Sequence, residues 1–213
     1  MSTPASYLTV AGPAEVEVEV RRSRFLCRVE RVPSEEAARA VVEEERRRHW
    51  DARHHCSAFV LGPGGEVQRS SDDGEPSGTA GAPMLDVLRG RGVSDVVAVV
   101  TRWFGGVLLG AGGLVRAYSD AVRAGLDEAG VLERRLLREF DVAVPHADAG
   151  RLENGLRSRG VAVLGVEYGA RVLLHVAVPS DEATRLPLLL AELSGGDLEP
   201  VPAGQGWVDV AAG

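Results

Sequence analysis

The sequence contains neither lysine nor isoleucine, so arginine carries all of its fixed side-chain positive charge. The lack of lysine excludes a Walker A phosphate loop, which requires Gly-Lys followed by Ser or Thr. The formal net charge of -7, without a uniformly acidic block, argues against strong nonspecific binding to nucleic acid. A local basic groove is still compatible with this total, because the distribution of charge matters more than its sum.

Cysteine is also scarce, since Cys27 and Cys56 are the only two in 213 residues. They are too few for a disulfide framework or a zinc ribbon, and both lie in apolar, strand-like runs, which predicts buried reduced thiols. No uninterrupted apolar run approaches the roughly 18 residues of a membrane span, and the N-terminus has no basic start followed by an apolar core. We therefore expect a cytoplasmic protein.

What the chain does contain is typical of folded globular proteins, with 45% hydrophobic residues, 26% charged residues and a mean hydropathy of -0.02. A length of 213 residues is compatible with two small domains. The pattern changes after Gly130, which predicts two domains over residues 1–134 and 135–213. A linker is expected near Glu133 to Arg138.

The first domain is predicted to combine strands with helices. Strict alternation from Glu15 to Val20, and again from Phe25 to Val32, predicts two antiparallel strands. Ser34 followed by two glutamates predicts the start of a helix that ends near Trp50. Later in this domain we expect a helix over Ala82–Arg91, a buried central strand over Asp95–Val100, a glycine-rich turn over Gly105–Gly113 and a helix over Leu114–Ala129.

A hairpin is predicted between these elements, because two short runs, His55–Leu61 and Glu66–Ser71, flank the sequence Gly-Pro-Gly-Gly. A four-residue connection fixes the register of the two strands. Counted outward from the loop, this register places His55 opposite Asp72 and His54 opposite Asp73.

The second domain repeats a simpler rhythm, in the order βαββαβ. This order predicts a ferredoxin-like fold, in which two helices cover one face of an antiparallel sheet. Such a fold assigns no function by itself. The strands are expected at Glu139–Val144, Val161–Glu167, Arg171–Val178 and Trp207–Val210, and the helices at Ala147–Arg159 and Asp181–Leu193.

Imidazoles and carboxylates gather at the open end of the predicted hairpin. Such a cluster could hold a divalent cation or activate a water molecule. A structural explanation is the commoner one, because a histidine often pairs with a neighbouring carboxylate, and Asp with Gly and Pro commonly forms a tight turn. The candidate catalytic residues are His54, His55, Asp72, Asp73 and Glu75.

A second candidate site lies in the glycine-rich stretch between the buried strand and the next helix. Unpaired amides and the helix dipole make such a junction suitable for anions, and flanking arginines could clamp a phosphate. Val115 occupies the third position of a dinucleotide motif, which excludes that motif. The alternative is that the glycines permit close packing and the arginines pair with nearby acids. The candidate phosphate or nucleic-acid ligands are Arg53, Arg102, Gly105, Gly106, Gly110, Gly112, Gly113 and Arg116.

Three long segments in this region resemble the IMPACT/YigZ family. They are ARHHC (Ala52–Cys56), SDDGEPSGTAG (Ser71–Gly81) and RWFGGVLLGAGGLVRAY (Arg102–Tyr118). Trp103 and Phe104 stand where paired tyrosines are common in bacterial relatives. The resemblance implies a first domain with the α+β fold of ribosomal and elongation-factor domains, and a tail similar to a late domain of elongation factor G.

The resemblance implies a role connected with translation, since eukaryotic relatives are regarded as translational regulators. Our leading hypothesis is a noncatalytic protein that contacts RNA or the ribosome through a groove near Arg53, Arg102, Arg116 and the glycine loop. One alternative is a metal-assisted phosphohydrolase that uses the His/Asp cluster, and another is a regulator that docks a protein partner. No cofactor is expected.

Overall fold

The computed structural model describes residues 4–196 and 198–210. Backbone contacts divide the chain into two units, one running as far as Arg134 and the other spanning Arg135–Asp209. None of the described helices is both long and apolar enough to cross a membrane. The elements of the described residues are, in chain order, β1 (Ser6–Val10), β2 (Ala14–Val20), β3 (Ser23–Arg31), α1 (Glu35–Arg48), β4 (His54–Leu61), β5 (Val67–Ser71), α2 (Gly81–Gly90), β6 (Val96–Trp103), α3 (Ala111–Ala129), β7 (Val131–Val144), α4 (Ala149–Arg157), β8 (Ala162–Tyr168), β9 (Val172–Pro179), α5 (Leu186–Ser194) and β10 (Val201–Val210).

The strand β6 lies at the centre of the first unit's sheet, whose order is β2-β3-β6-β4-β5 with every neighbouring pair antiparallel. Every residue from Val96 to Val100 is buried, because helices cover both faces of the sheet. Val97 and Val99 pack in the α1 core, whereas Val96 and Ala98 pack in the core formed with α2 and α3. The prediction of a buried central strand is confirmed.

The first helix begins as its sequence predicts. The Ser34 hydroxyl accepts a hydrogen bond from the Ala37 N–H at 3.2 Å, which satisfies one of the free amides of the first turn. Glu35 and Glu36 in that turn face the positive end of the helix dipole. The helix ends at Arg48 and is capped by His49, close to the predicted end.

The predicted register of the hairpin is wrong by one residue. The structure pairs Leu61 with Val67 and Ser57 with Ser71, because the connecting loop has five residues rather than four. Glu66 belongs to this loop, where its carboxylate accepts a hydrogen bond from the Gly64 N–H at 3.1 Å. Since successive strand residues point to opposite faces, this shift changes which side chains meet at the open end of the hairpin.

Two other boundaries differ from those predicted. The helix α3 begins at Ala111, so Gly112 and Gly113 belong to its first turn and not to the turn before it. The expected linker over residues 133–138 lies within β7, which is one continuous strand. Leu137 in that segment pairs with Pro179 of β9 and is buried, which explains why this arginine-rich stretch is ordered as a strand.

The second unit confirms the βαββαβ prediction. Its elements follow in the order β7, α4, β8, β9, α5 and β10, and the sheet order is β10-β7-β9-β8. The strands β7, β9 and β8 pair antiparallel. Leucines of the two helices, including Leu152, Leu156 and Leu190, form its core with alternate valines of β7 and β9.

Gly105 makes the closest backbone packing of the glycine loop. A β-carbon placed on it would lie 2.0 Å from the carbonyl carbon of Arg22 and 2.1 Å from the carbonyl oxygen. The Gly105 N–H also donates a hydrogen bond to the Ser23 hydroxyl at 3.1 Å. The turn before β3 therefore fits against a position where only glycine is tolerated.

We expect Gly105→Ala to lower the free energy of unfolding by at least about 2 kcal/mol, because rigid backbone would have to move. Gly112→Ala is the matched control, since a β-carbon there meets no atom within 4 Å. That control should be neutral or stabilise by about 0.5–1 kcal/mol, because alanine favours the helix. Urea unfolding followed by circular dichroism measures both variants, and equal midpoints would contradict this account.

Candidate functional site

Asp72 organises the turn that leads from the hairpin into α2. Its carboxylate accepts hydrogen bonds from the backbone N–H groups of Gly78 at 2.8 Å, Ala80 at 3.1 Å and Gly81 at 2.8 Å. Partial burial acts to raise the pKa of Asp72, but the three amides outweigh it and the pKa is lowered. The Asp72 carboxylate therefore serves the fold of the loop.

Asp73, the next residue of this turn, is hydrogen-bonded to His55 of β4. The Asp73 carboxylate accepts a hydrogen bond from the Arg46 guanidinium at 2.6 Å and another from the His55 N–H at 2.7 Å. The His55 ring is buried, and its Nε2 lies 3.2 Å from the carbonyl oxygen of His49. Burial lowers the pKa of His55, which favours the neutral ring.

Glu75 is the centre of a buried polar network. Its Oε1 accepts a hydrogen bond from the Arg102 guanidinium at 2.6 Å and another from the Tyr118 hydroxyl at 2.8 Å. The Cys56 thiol lies 3.3 Å from the Tyr118 hydroxyl oxygen. Burial raises the pKa of Cys56 to about 12 and also raises the pKa of Tyr118, so both groups remain protonated. The network thus joins the turn after β5 to β6, β4 and α3.

The three carboxylates among the five candidate catalytic residues are therefore bound by different partners. The Asp72, Asp73 and Glu75 carboxylates bind loop amides, Arg46 and Arg102 respectively. Among the described residues, the one His/Cys/Asp/Glu group with ligand atoms that converge is a different set, Glu15 with Glu45 and His49.

One cleft brings parts of both predicted sites together. Its volume is about 370 Å³. His54 lines it from the hairpin end, where its Nε2 is 4.0 Å from Glu75 Oε1 and its Nδ1 is 2.9 Å from the Asp73 carbonyl oxygen. The other lining residues are Arg53, Glu75, Pro76, Arg102, Phe104, Leu108, Leu109, Gly110, Ala111 and Leu114.

The start of α3 forms one wall of this cleft. Gly110 precedes the helix with a φ of 71° and offers no side-chain cap to its amides. The first backbone hydrogen bond of the helix runs from the Leu114 N–H to the Gly110 carbonyl. The N–H groups of Ala111, Gly112 and Gly113 are therefore left for water or a ligand, at the positive end of a 19-residue helix.

The arginines predicted to bind phosphate lie in different environments. Arg102 is buried, with one guanidinium nitrogen on Glu75, while its Nε has no hydrogen-bond partner within the described chain. Arg53 is exposed at the cleft. Arg116 is exposed on the following turn of α3. Arg53 and Arg116 are thus accessible, whereas Arg102 is committed to the core.

The glycines also differ in what they do. Gly110 lines the cleft, and Gly112 and Gly113 supply first-turn amides. Gly105 packs on the Arg22 backbone, outside the cleft lining. Gly106 also lies outside it and adopts a φ of 84°, which favours glycine.

Sequence reasoning missed the apolar wall of the cleft. Phe104 is 46% exposed and Leu108 is 82% exposed, an unusual degree for large apolar side chains. The Arg102 guanidinium lies 5.8 Å from the centre of the Phe104 ring, which orients that ring beside the cleft. The signal was present in the sequence as an aromatic residue directly before two glycines.

We expect Glu75→Gln to lower the free energy of unfolding by about 3 kcal/mol or more, because the buried Arg102 cation would lose its charged partner. Glu43→Gln is the matched control, since Glu43 is an exposed residue that lies 3.7 Å from Arg46. Its effect should stay within about 0.5 kcal/mol. Urea denaturation at neutral pH compares the two variants. Equal decreases in their free energies of unfolding would contradict a large contribution of the buried ion pair to stability.

Known protein families match this chain over most of its length. Residues 21–126 match the Impact N-terminal domain, and residues 142–197 match a domain of unknown function, DUF1949. The IMPACT family member YvyE of Bacillus subtilis is 41% identical over 191 residues, covering 90% of this chain and 88% of the relative. The IMPACT family member YigZ of Escherichia coli is 40% identical over 196 residues, covering 91% of this chain and 96% of that protein.

A eukaryotic relative and a solved structure extend the comparison. The protein IMPACT homolog of Saccharomyces cerevisiae is 35% identical over 116 residues, covering 50% of this chain and 44% of that protein. A crystal structure described as that of a hypothetical protein is 39% identical, with a TM-score of 0.62, and the match covers 94% of this chain and 98% of that one. With two bacterial relatives matched over nearly their whole length, the chain belongs to the IMPACT family.

Proposed function

We propose that this protein is a noncatalytic, translation-associated regulator that binds single-stranded RNA, free or on the ribosome, at the cleft before α3. The observation that carries the proposal is the uncapped N-terminus of α3 beside exposed Arg53 and half-exposed Phe104. An anion site next to an accessible aromatic ring matches the two repeating parts of RNA, its phosphates and its bases. Membership of the IMPACT family supports the connection with translation.

The phosphate would bind to the amides of Ala111, Gly112 and Gly113. These groups point out of the helix end, where the dipole stabilises negative charge. Arg53 lies across the cleft and adds a mobile cation, and Arg116 extends the positive surface along α3. One or two phosphates fit this arrangement, which agrees with the acidic total charge of the chain.

The base would stack on Phe104. Its ring is 46% exposed and is positioned by the Arg102 guanidinium, so it is presented to the cleft without a large loss of side-chain entropy on binding. Leu108, which is 82% exposed, supplies further apolar contact at the same rim. Because every base has a flat face, this contact would tolerate different RNA sequences.

The hydrolase alternative has less support from the same geometry. Its three carboxylates already accept hydrogen bonds from loop amides, Arg46 and Arg102. A divalent cation would have to displace these contacts to collect its ligands. Binding through the amides of α3 requires no such rearrangement.

We expect the double variant Arg53→Ala with Arg116→Ala to weaken binding of a fluorescein-labelled, single-stranded RNA at least about tenfold in low salt. The slope of log Kd against log salt should fall by about 1.4, because two phosphate contacts are lost. Arg123→Ala, an exposed arginine farther along α3, is the matched control and should bind like the wild type. Fluorescence anisotropy measures each affinity.

A second variant separates stacking from charge. Phe104→Ala should weaken binding by about 1–3 kcal/mol and leave the salt slope unchanged, since the ring contacts a base and not a phosphate. The proposal fails if the double arginine variant and wild type bind equally, or if the wild type shows no binding in low salt. A slope change in Phe104→Ala would contradict the assigned role of the ring.

A further inference from the structure

A second polar cluster lies on the other face of the first sheet, between α1 and the strand β2. It consists of Glu15 on β2 with Glu45 and His49 at the C-terminal end of α1. One oxygen or nitrogen atom from each of these side chains lies within 4.8 Å of the other two. Glu45 and His49 are four residues apart, so the helix places them on the same face.

Glu45 is the unusual member, because its side chain is 0% exposed. Its Oε1 is bound by the Arg28 guanidinium at 3.0 Å, but its Oε2 has no hydrogen-bond partner within the described residues. The Nε2 of His49 is likewise unpartnered there and lies 3.6 Å from that oxygen. A buried carboxylate oxygen without a partner carries a large desolvation cost, so these two atoms call for a bound cation or proton.

The distance between Glu45 Oε2 and His49 Nε2 helps to distinguish a metal site from a direct hydrogen bond. A distance of 3.6 Å is longer than a normal hydrogen bond. It is close to the edge of a tetrahedron around zinc, which is about 3.3 Å when metal–ligand distances are near 2.0 Å. The geometry therefore suits two ligands of one metal better than a direct donor–acceptor pair.

Charge at this place also favours a divalent cation. The linked ion pairs contain four carboxylates and two guanidiniums, which leaves a local charge of -2. Arg28 contacts Glu30 at 2.6 Å, Glu44 at 3.1 Å and Glu45 at 3.0 Å. Arg48 pairs with Glu15 and lies 3.7 Å from Glu45. A single divalent ion would neutralise the cluster.

We propose that Glu15, Glu45 and His49 form a binding site for a zinc-class transition metal ion, with water completing the coordination. One imidazole and two carboxylates are suitable ligands for zinc, whereas magnesium and calcium prefer oxygen alone. Arg28 holds the second oxygen of Glu45, and the His49 ring packs edge-on against Trp103 at 5.2 Å, so two of the ligands are oriented in advance.

Glu15 must give up part of its bond to Arg48 when the metal binds. Both groups are partly exposed, with 35% and 49% of their side-chain surface accessible. Such a surface ion pair contributes only about 0–1 kcal/mol, so exchanging it for a metal bond costs little. The bound ion would join the end of α1 to β2 and fix the turn that continues to Arg53 and His54.

The test uses ZnCl2 alone, titrated by calorimetry into the full chain, purified without a histidine tag and dialysed against a chelator. We expect one zinc ion per chain and a melting temperature that rises with zinc concentration. His49→Gln and Glu45→Gln should each weaken zinc binding at least about tenfold. Glu43→Gln, an exposed acid on the same helix, should bind zinc like the wild type.

The proposal is overturned if the wild type takes up no zinc, or if zinc binds to His49→Gln as tightly as to the wild type. The second result would assign the metal to an adventitious surface site and leave His49 and Glu45 as an ion pair. His49 is partly accessible, so its substitution tests the site even if loss of buried Glu45 prevents folding. Circular dichroism verifies that each variant is folded.

Discussion

The buried ion pair between Glu75 and Arg102 is the interaction on which the first unit depends. Through one carboxylate oxygen, Glu75 joins β6 and α3 to the turn that precedes α2, since Arg102 and Tyr118 both donate to it. Removing one member of such a pair leaves an uncompensated charge in the core, so the pair ties the position of the turn to that of the helix. The cleft before α3 exists because these pieces are held together.

Much of the fold could be predicted from local patterns. The buried valines of β6, the serine cap of α1 and the βαββαβ order all follow from periodicity and helix signals, and the structure confirms them. The hairpin register could not be predicted from local patterns, because it depends on the hydrogen bond from the Gly64 amide to the Glu66 carboxylate within the loop. The prediction of a linker was wrong for a similar reason, since burial of Leu137 in a sheet depends on β9, which is distant in sequence.

In the candidate site, too, local sequence predicts some features, whereas others depend on tertiary contacts. Motifs located the residues, but not the exposure of their side chains: Arg102 is buried and donates to Glu75, whereas Arg53 is exposed at the cleft. The sequence could not show the grouping of Glu15 with Glu45, because only the packing of α1 on the sheet brings this helix into contact with β2. Residue types therefore indicate which chemistry is available, and burial and pairing decide which groups are free to use it.

In the proposed function, the first-turn amides of α3 bind phosphate beside Phe104. Nitrogen-15 NMR of the chain, titrated with a short single-stranded RNA, tests this directly because each backbone amide reports its own environment. We expect the largest shifts on Ala111, Gly112, Gly113 and Phe104. Shifts confined to the second unit, or none at saturating RNA, would contradict it.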